Sequence, residues 1–416
     1  MSMLIMSGAK DRLLPASLPF RFFASASVFH ILFWLALLMG ADDLATFNGG
    51  TGWILAAIHI ATLGTFAMTA MGAAFQLLPI ATRQPLAHSW PAYLTFWLFM
   101  PGTLILTYGM TTTSMLALTI GGIATSAGLL TFALLTADNL RRATSLPIVA
   151  SHGWVAVISV LVLVALALLL IFDLDAGFLP NHMAAATTHM AFAAFGFMGV
   201  LAFGFSYVLI PMFALSRALP PRMGWVSLAF AAIALTLAAP ALLLEITPLQ
   251  VAALLCAIAA AAAYLWQMRT AFKTRMRKRL GPAFVVIRGS WGMLAISLLI
   301  GLAVLLDAPI PNGATLFGFL LLAGWLLTFL LGILQRIMPF LASMHVSTKD
   351  GRTPLLSDLT SQTPLNIHMI SHATALALCA AGIVSEITPL IIAGAAIGLV
   401  GSIAFGLFAG FVIRKL

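Results

Sequence analysis

Three histidines of this chain have side chains and positions suited to metal chemistry. His59 lies near the start of one long apolar run, and His182 and His189 open another. A neutral imidazole is a good ligand for iron, copper or zinc. Residues seven apart share one helix face and lie about 10.5 Å apart along its axis, so His182 and His189 would serve different partners. We therefore predict that His59, His182 and His189 are metal ligands; the alternative is hydrogen bonding to water or to neighbouring helices.

Three other histidines give weaker signals. His30 lies in the middle of the first apolar run, where it could bond a neighbouring helix or contribute to a cofactor pocket. His368 and His372 are one helical turn apart, a spacing that can hold a metal ion. Because no third ligand is evident beside them, we favour a role at a helix interface.

The composition places these histidines inside a membrane. Of the 416 residues, 62% are hydrophobic and 7% are charged, whereas a soluble protein of this size needs a charged surface. Apolar runs long enough to cross a hydrocarbon layer about 30 Å thick recur along the chain. They are continuous rather than alternating, which predicts helices and not a barrel. Cys256 and Cys379 lie in such runs, so we expect neither a disulfide framework nor a cysteine-based metal site.

Hydropathy and charge together predict twelve membrane spans with both termini in the cytoplasm. With that orientation all 20 Lys and Arg residues fall on or near the cytoplasmic side, as the positive-inside rule requires. We expect a multi-pass protein of the bacterial cytoplasmic (inner) membrane, with lipid rather than nucleic acid against the basic run at 273–279. The polar start, with Lys10 and Arg12, is expected to be a short tail and not a signal peptide. The spans are roughly 19–40, 52–80, 91–111, 115–137, 147–172, 182–213, 223–244, 248–271, 285–306, 312–341, 365–385 and 388–413.

A recurring pattern of glycine and proline divides the chain into three similar blocks. Residues 64–79, 196–211 and 324–339 each read glycine, seven residues, glycine, six residues, proline. Small residues eight apart lie on nearly the same helix face and allow close helix contact. The motif EITPL also occurs twice, late in the last two blocks. We predict a single membrane domain, residues 1–416, built from three four-helix repeats. The repeats are about 19–143, 147–280 and 285–416.

Three repeats of four helices resemble the heme-copper oxidase superfamily, in which cytochrome oxidases and nitric oxide reductases share a twelve-helix catalytic subunit. His59, Gly72 and Pro79 match the family's second helix, where the histidine binds a heme. The sequence GAAFQLLP at 72–79 looks like the nitric oxide reductase version of this helix. The resemblance implies an all-α polytopic membrane protein of the oxidase subunit I type.

The resemblance extends to the sixth helix and to the start of the chain. His189 matches the family's copper-binding histidine, and PFRFFASA at 19–26 is similar to the start of NnrS-type proteins, which are linked to nitric oxide tolerance. Heme b or copper, held by His59 and His189, is therefore implied. Counted back from the repeat proline, the two histidines differ by two residues, a rotation of about 200°. We therefore expect the two side chains to converge on a shared or adjacent site.

Several residues depart from the oxidase pattern. Residues 214–247 contain no histidine for copper, and residues 312–341 contain none for heme. The matching turn of helix ten holds Phe317, Gly318 and Phe319, and the tyrosine position four residues after His189 is Ala193. These departures predict a protein that does not reduce oxygen or pump protons, and they leave open whether it is an enzyme at all.

Three functions remain as hypotheses. The first is a divergent oxidase-like protein that binds heme or copper near the outer face, for nitric oxide or redox handling or sensing. The second is a transporter of metal ions or small molecules on the same scaffold. The third is an assembly or structural subunit with a membrane-protein partner. A heme absorption band in the purified protein would separate the first from the other two.

Overall fold

Twelve long helices form the structure, a computed structural model that describes residues 14–86, 88–277, 280–346 and 354–416. All twelve are long and apolar enough to cross a membrane, and no strand occurs within these ranges. The all-α, twelve-span prediction is confirmed. The predicted tail with Lys10 and Arg12, the last two residues of the basic run, and part of the loop before the eleventh helix lie outside the described residues. The helices are α1 Ser17–Met39, α2 Trp53–Thr82, α3 Trp90–Thr112, α4 Met115–Arg141, α5 Pro147–Ala176, α6 His182–Ala214, α7 Pro221–Leu243, α8 Thr247–Lys273, α9 Pro282–Leu305, α10 Gly313–His345, α11 Gln362–Ser385 and α12 Thr388–Ile413.

The helices pack in the same order three times around the molecule. The first helix of each set of four packs on the second, and the third and fourth form an antiparallel hairpin. The fourth helix then packs on the first helix of the next set, and α12 closes the ring against α1. In α2, α6 and α10 the most apolar window is 72%, 78% and 83% buried, against 56% or less in the other nine helices. These three helices therefore form the centre of the bundle.

The glycines of the repeated pattern lie where the second helix of each set meets the first. A side chain at Gly64 would overlap the ring of Phe29 on α1, and one at Gly204 would lie 2.6 Å from His152 on α5. At Gly332, on α10, it would lie 2.7 Å from Ile287 on α9. The close helix contact expected from the spacing is present in all three sets, while the repeat boundaries stay a prediction.

Each central helix contains a π-helical segment of eight residues that the sequence analysis did not predict. The segments are Ile60–Ala67, Phe192–Gly199 and Leu320–Leu327. Each begins 19 residues before the repeat proline, at Pro79, Pro211 and Pro339 respectively. A π-helical turn leaves the usual hydrogen-bond register and is frequent at functional sites. The first segment follows His59 directly, so the change of register occurs beside a predicted ligand.

Candidate functional site

A large apolar cavity lies at the His59 end of the bundle, where α2, α6 and α10 begin. Its volume is ≈ 1180 Å³, above the range of roughly 300–1,000 Å³ that is usual for small-molecule sites. The lining is mostly aliphatic and aromatic, and Asp307 is its single acid. No Lys or Arg is among the described residues that line it. The cavity therefore suits a large, mainly apolar guest.

His59 and His189 face this cavity from two different central helices. His59 lies on α2 just before its π-helical segment, and His189 lies on α6, three residues before the corresponding segment. Their ring centroids are 6.5 Å apart and the ring planes differ by 17°. The structure therefore brings these two side chains to one pocket, where the spacing argument expected them.

Each of the two rings is anchored through one nitrogen. Nδ1 of His59 lies 2.9 Å from the carbonyl oxygen of Leu55 on its own helix, and Nδ1 of His189 lies 2.9 Å from that of Leu163 on α5. A carbonyl oxygen only accepts, so the hydrogen-bond network places the proton on Nδ1 in both rings. Each Nε2 then carries a lone pair. Neither Nε2 is among the sealed, unpartnered polar atoms of the described residues, and both histidines line the cavity.

The separation of the two rings fits a metal ion between them. Two imidazoles that shared one ion from opposite sides would have centroids about 6.2 Å apart, because each metal–nitrogen bond is about 2.0 Å and each centroid lies about 1.1 Å behind its nitrogen. The measured 6.5 Å is close to that value. A proton held on Nδ1 by a backbone carbonyl is also the usual arrangement around metal-binding histidines. Together with the cavity volume, this donor set fits a heme iron or a single copper ion.

His182 lies at the mouth of the cavity and does not join the pair. Its Nδ1 is 2.7 Å from Oδ2 of Asp173, and 40% of its side chain is exposed. The other carboxylate oxygen, Oδ1 of Asp173, accepts the backbone N–H of Leu179 at 2.6 Å. These contacts join the end of α5 to the start of α6. The role of His182 as a metal ligand stays a prediction, and the geometry gives it no ligand partner.

The third central helix contributes apolar side chains to the site. Phe317, Gly318 and Phe319 of α10 all line the cavity, and none of them can bind a metal. Met190 also lines it, and Met183 at the mouth is half exposed beside Gly49. The histidine pair therefore comes from α2 and α6, and these three residues of α10 add no metal-binding side chain to it.

Comparison with known proteins shows the fold. No protein-family model matches the chain, and no curated protein matches its sequence. Among solved structures it is similar to a heme-copper terminal oxidase dimer determined by cryo-EM, with a TM-score of 0.66 and 11% sequence identity. The match covers 97% of this chain and 84% of that chain.

The chain has the fold of a heme-copper terminal oxidase. The expected superfamily fold is thereby confirmed, while the NnrS resemblance stays a prediction. At 11% identity the similarity in fold does not assign a cofactor to this chain, because one fold can hold unrelated sites. Any cofactor must be argued from this chain's own residues.

The structure brings together three histidines that the sequence analysis had considered separately. His30 of α1 lies beside His368 and His372 of α11. The one-turn spacing on α11 was the available signal, but nothing in the sequence connects it with His30 at the other end of the chain. The backbone carbonyls of Leu55 and Leu163 were missed, because main-chain acceptors have no sequence signature.

Proposed function

We propose that this oxidase-like membrane protein binds a heme between His59 and His189 and uses it for redox handling or sensing near the predicted outer face. The observation that carries the proposal is the pair of anchored imidazoles that line one cavity from two central helices, 6.5 Å apart between centroids and 17° from parallel. Two ring nitrogens that carry lone pairs and have no donor are unfavourable in an apolar site. A metal centre bound by both nitrogens removes that cost.

The size and lining of the cavity favour a heme over a single copper ion. A lone ion would leave most of the ≈ 1180 Å³ unfilled, whereas a porphyrin is a large, flat, mainly apolar group. The carboxylates of a heme would have to reach the polar mouth, near Asn48, Thr51 and Thr187. Copper held by the same two nitrogens is the alternative that shares the ligand set.

The chain's own residues restrict what such a centre could do. A bound heme supplies one-electron redox chemistry. The carbonyls of Leu55 and Leu163 keep the rings oriented and raise the basicity of each Nε2, and the apolar lining excludes water. His59 and His189 would both be occupied as ligands, so the pair would leave no further side chain for chemistry at the iron, which favours electron transfer or sensing. Nitric oxide handling would require one of the two histidines to give up its position.

The predicted orientation supports a site that faces the outside. The basic residues Arg83, Arg141 and Arg217 lie at or just beyond the ends of α2, α4 and α6, at the opposite end of the bundle from His59. Single cysteines introduced at Asn48 and at Ser216 test this placement. A membrane-impermeant thiol reagent added to intact cells should label the first and not the second. The reverse pattern would place the site at the cytoplasmic face.

Absorption spectroscopy of protein purified from its native membrane tests the cofactor. We expect a Soret band, a pyridine hemochrome of b type and one heme per chain. His59→Ala and His189→Ala should each lower the heme content or convert the spectrum from six- to five-coordinate iron. His88→Ala is the matched control, because His88 is exposed and does not line the cavity.

The same experiment can reject the proposal. Wild-type protein with neither heme nor copper, in a folded preparation, would remove the cofactor function and leave the transporter or the assembly subunit. Bound heme that survives both substitutions unchanged would place it elsewhere in the fold. If the protein binds copper and no heme, and loses the copper when either histidine is replaced, the proposed cofactor is copper instead of heme.

A further inference from the structure

The second histidine group is sealed inside the protein. We name it the triad: His30 on α1, with His368 and His372 on α11. The three residues are 0%, 0% and 4% exposed. Their ring centroids are 5.7 Å apart for His30 and His368, 6.3 Å for His30 and His372, and 5.4 Å for His368 and His372. None of the three lines the large cavity.

The hydrogen bonds around the triad assign the protons on its two α11 rings. Nδ1 of His368 lies 3.3 Å from the carbonyl oxygen of Gly401, so it carries the proton and Nε2 holds a lone pair. Nε2 of His372 lies 2.8 Å from the hydroxyl of Thr328, and that hydroxyl already donates to the carbonyl of Ala323. His372 must therefore donate through Nε2, which leaves a lone pair on Nδ1.

His30 has the opposite arrangement. Its Nε2 accepts the indole N–H of Trp34 at 3.2 Å. A neutral ring then carries its proton on Nδ1. Nδ1 of His30, Nε2 of His368 and Nδ1 of His372 are all buried without a partner. The triad thus encloses two lone pairs and one N–H, none of them satisfied by the protein.

Neutral groups surround the three rings. The aromatic side chains that pack against them are Trp34 of α1 and Phe405 of α12. The hydrogen-bond partners of the two α11 rings are a hydroxyl on α10 and a carbonyl on α12. Buried polar atoms are nearly always paired, and an unpaired one in a native fold signals a bound water or ion. Three such atoms belong to rings whose centroids lie within 6.3 Å of one another, so one guest shared by the rings is the simplest way to pair them.

We propose that His368 binds one transition-metal ion through Nε2 and that His372 binds the same ion through Nδ1. His30 would lie beside the ion without being a ligand. Two unprotonated ring nitrogens one helical turn apart are a recurrent metal-binding pattern. The anchoring of the other nitrogen of each ring, to Gly401 and Thr328, is the arrangement that orients such ligands. Imidazole is a ligand for copper and zinc alike. This inference does not rest on the proposed function of the cavity.

The protein supplies two ligands, and the role of His30 depends on the ion. Among the described residues no group of three His, Cys, Asp or Glu is arranged to hold a metal, so any further ligand comes from outside the chain. Copper(I) is stable with two imidazoles and needs little from His30. Zinc brings a larger charge that no neighbouring carboxylate balances, so it would keep a hydroxide, to which the His30 N–H donates.

Metal titration of a variant that lacks the cavity pair tests the site. The protein carries His59→Ala and His189→Ala, is purified through a tag without histidine, and is freed of metal with a chelator. Copper(I) and zinc are titrated separately against chromophoric competitors. We expect one ion per chain for at least one of the two metals. His368→Phe and His372→Phe should each weaken that binding at least tenfold, while His88→Ala should leave it unchanged.

The His30→Phe variant distinguishes the two ions. Unchanged copper(I) affinity in this variant fits the two-ligand site, whereas at least tenfold weaker zinc binding fits a metal-bound hydroxide held by His30. X-ray absorption at the metal edge of the single variant His59→Ala gives a second readout, since scattering from two imidazole rings is expected and the cavity pair can no longer supply two. It also serves if the double cavity variant fails to fold.

Two results would overturn the proposal. One is the absence of stoichiometric binding of either metal by folded protein. The other is binding that survives both α11 substitutions. The triad would then enclose a water molecule that accepts from His30 and donates to His368 and His372. Because the titration is done without the cavity pair, its failure leaves the heme proposal standing, and a missing Soret band leaves this one standing.

Discussion

The two histidine groups use the same local chemistry in opposite surroundings. In the cavity pair, His59 and His189 are each anchored through Nδ1 and line a cavity of ≈ 1180 Å³. In the triad, two rings are anchored in a similar way, but the free nitrogens are sealed by packed side chains. Anchoring alone therefore does not decide the guest. The surroundings of the free nitrogens differ: the pair borders an open cavity, where we expect a large planar group, and the triad is enclosed by packed side chains, where we expect one small ion.

Helix α1 separates the two regions. Phe29 packs against Gly64 in the π-helical segment of α2, next to the pair, whereas the following residue, His30, faces the triad. Consecutive residues on a helix point about 100° apart, so one turn of α1 serves both sites. Changes at the histidines should affect one site at a time, while changes at the α1–α2 contact should affect both.

The largest effect is expected when the histidines of one group are replaced while those of the other group are kept. His59→Ala with His189→Ala should lower bound heme at least about tenfold, because both ligands and their ordered carbonyl contacts are lost. It should leave metal binding at the triad intact. His368→Phe with His372→Phe should do the opposite. Heme by pyridine hemochrome and metal by mass spectrometry are measured on the same preparations. Loss of both guests in both variants would mean that the two groups form one site.

Chemical modification should separate the groups next most clearly. Diethyl pyrocarbonate reacts with unprotonated ring nitrogens that it can reach. In heme-free protein we expect modification of His59 and His189, and protection when heme is added back. The triad should react at least about tenfold more slowly, because it must first open locally. Peptide mass spectrometry reads each position. Equal modification rates at His59 and His372 in folded protein would contradict the description of the pair as open and the triad as sealed.

Crowding the α1–α2 contact should weaken the whole region. Gly64→Val places carbon atoms where the Phe29 ring now lies, and overpacking of this kind costs about 1–3 kcal/mol of unfolding free energy. We expect a lower melting temperature and weaker binding at both sites. Gly292→Ala on α9 is the control, since a side chain there meets nothing within 4 Å. Gly64→Val with full stability and both guests retained would show that α1 does not couple the sites.

The smallest effect should come from the hydroxyl that orients one triad ring. Thr328→Val removes the acceptor of the His372 Nε2 proton, and loss of such an orienting partner weakens metal binding roughly tenfold. The heme spectrum should not change. Thr236→Val is the matched control, because its hydroxyl also bonds a carbonyl of its own helix, Ala232, but is exposed and contacts no histidine. A change in the Soret band instead would assign Thr328 to the cavity site.

Much of the fold follows from the sequence alone. Continuous apolar runs predict twelve helices because a backbone in lipid must satisfy its own hydrogen bonds. The glycine and proline spacing indicates which helices pack closely, since a missing side chain leaves room for a neighbour wherever it occurs. His59 and His189 could be selected for the same reason: an ionisable group deep in an apolar span is costly without a partner. These inferences depend on one helix at a time.

The tertiary structure decided what the histidines can do. The carbonyl of Leu163 on α5 sets which nitrogen of His189 is free, and the closure of α12 against α1 brings His30 to the two rings of α11. The triad joins residues from opposite ends of the chain, and its tautomers depend on Trp34, Thr328 and Gly401. Whether a free nitrogen faces a cavity or packed side chains depends on helices far apart in sequence. Sequence periodicity reports the faces of a single helix, and it carries no information about the acceptors and spaces that other helices place there.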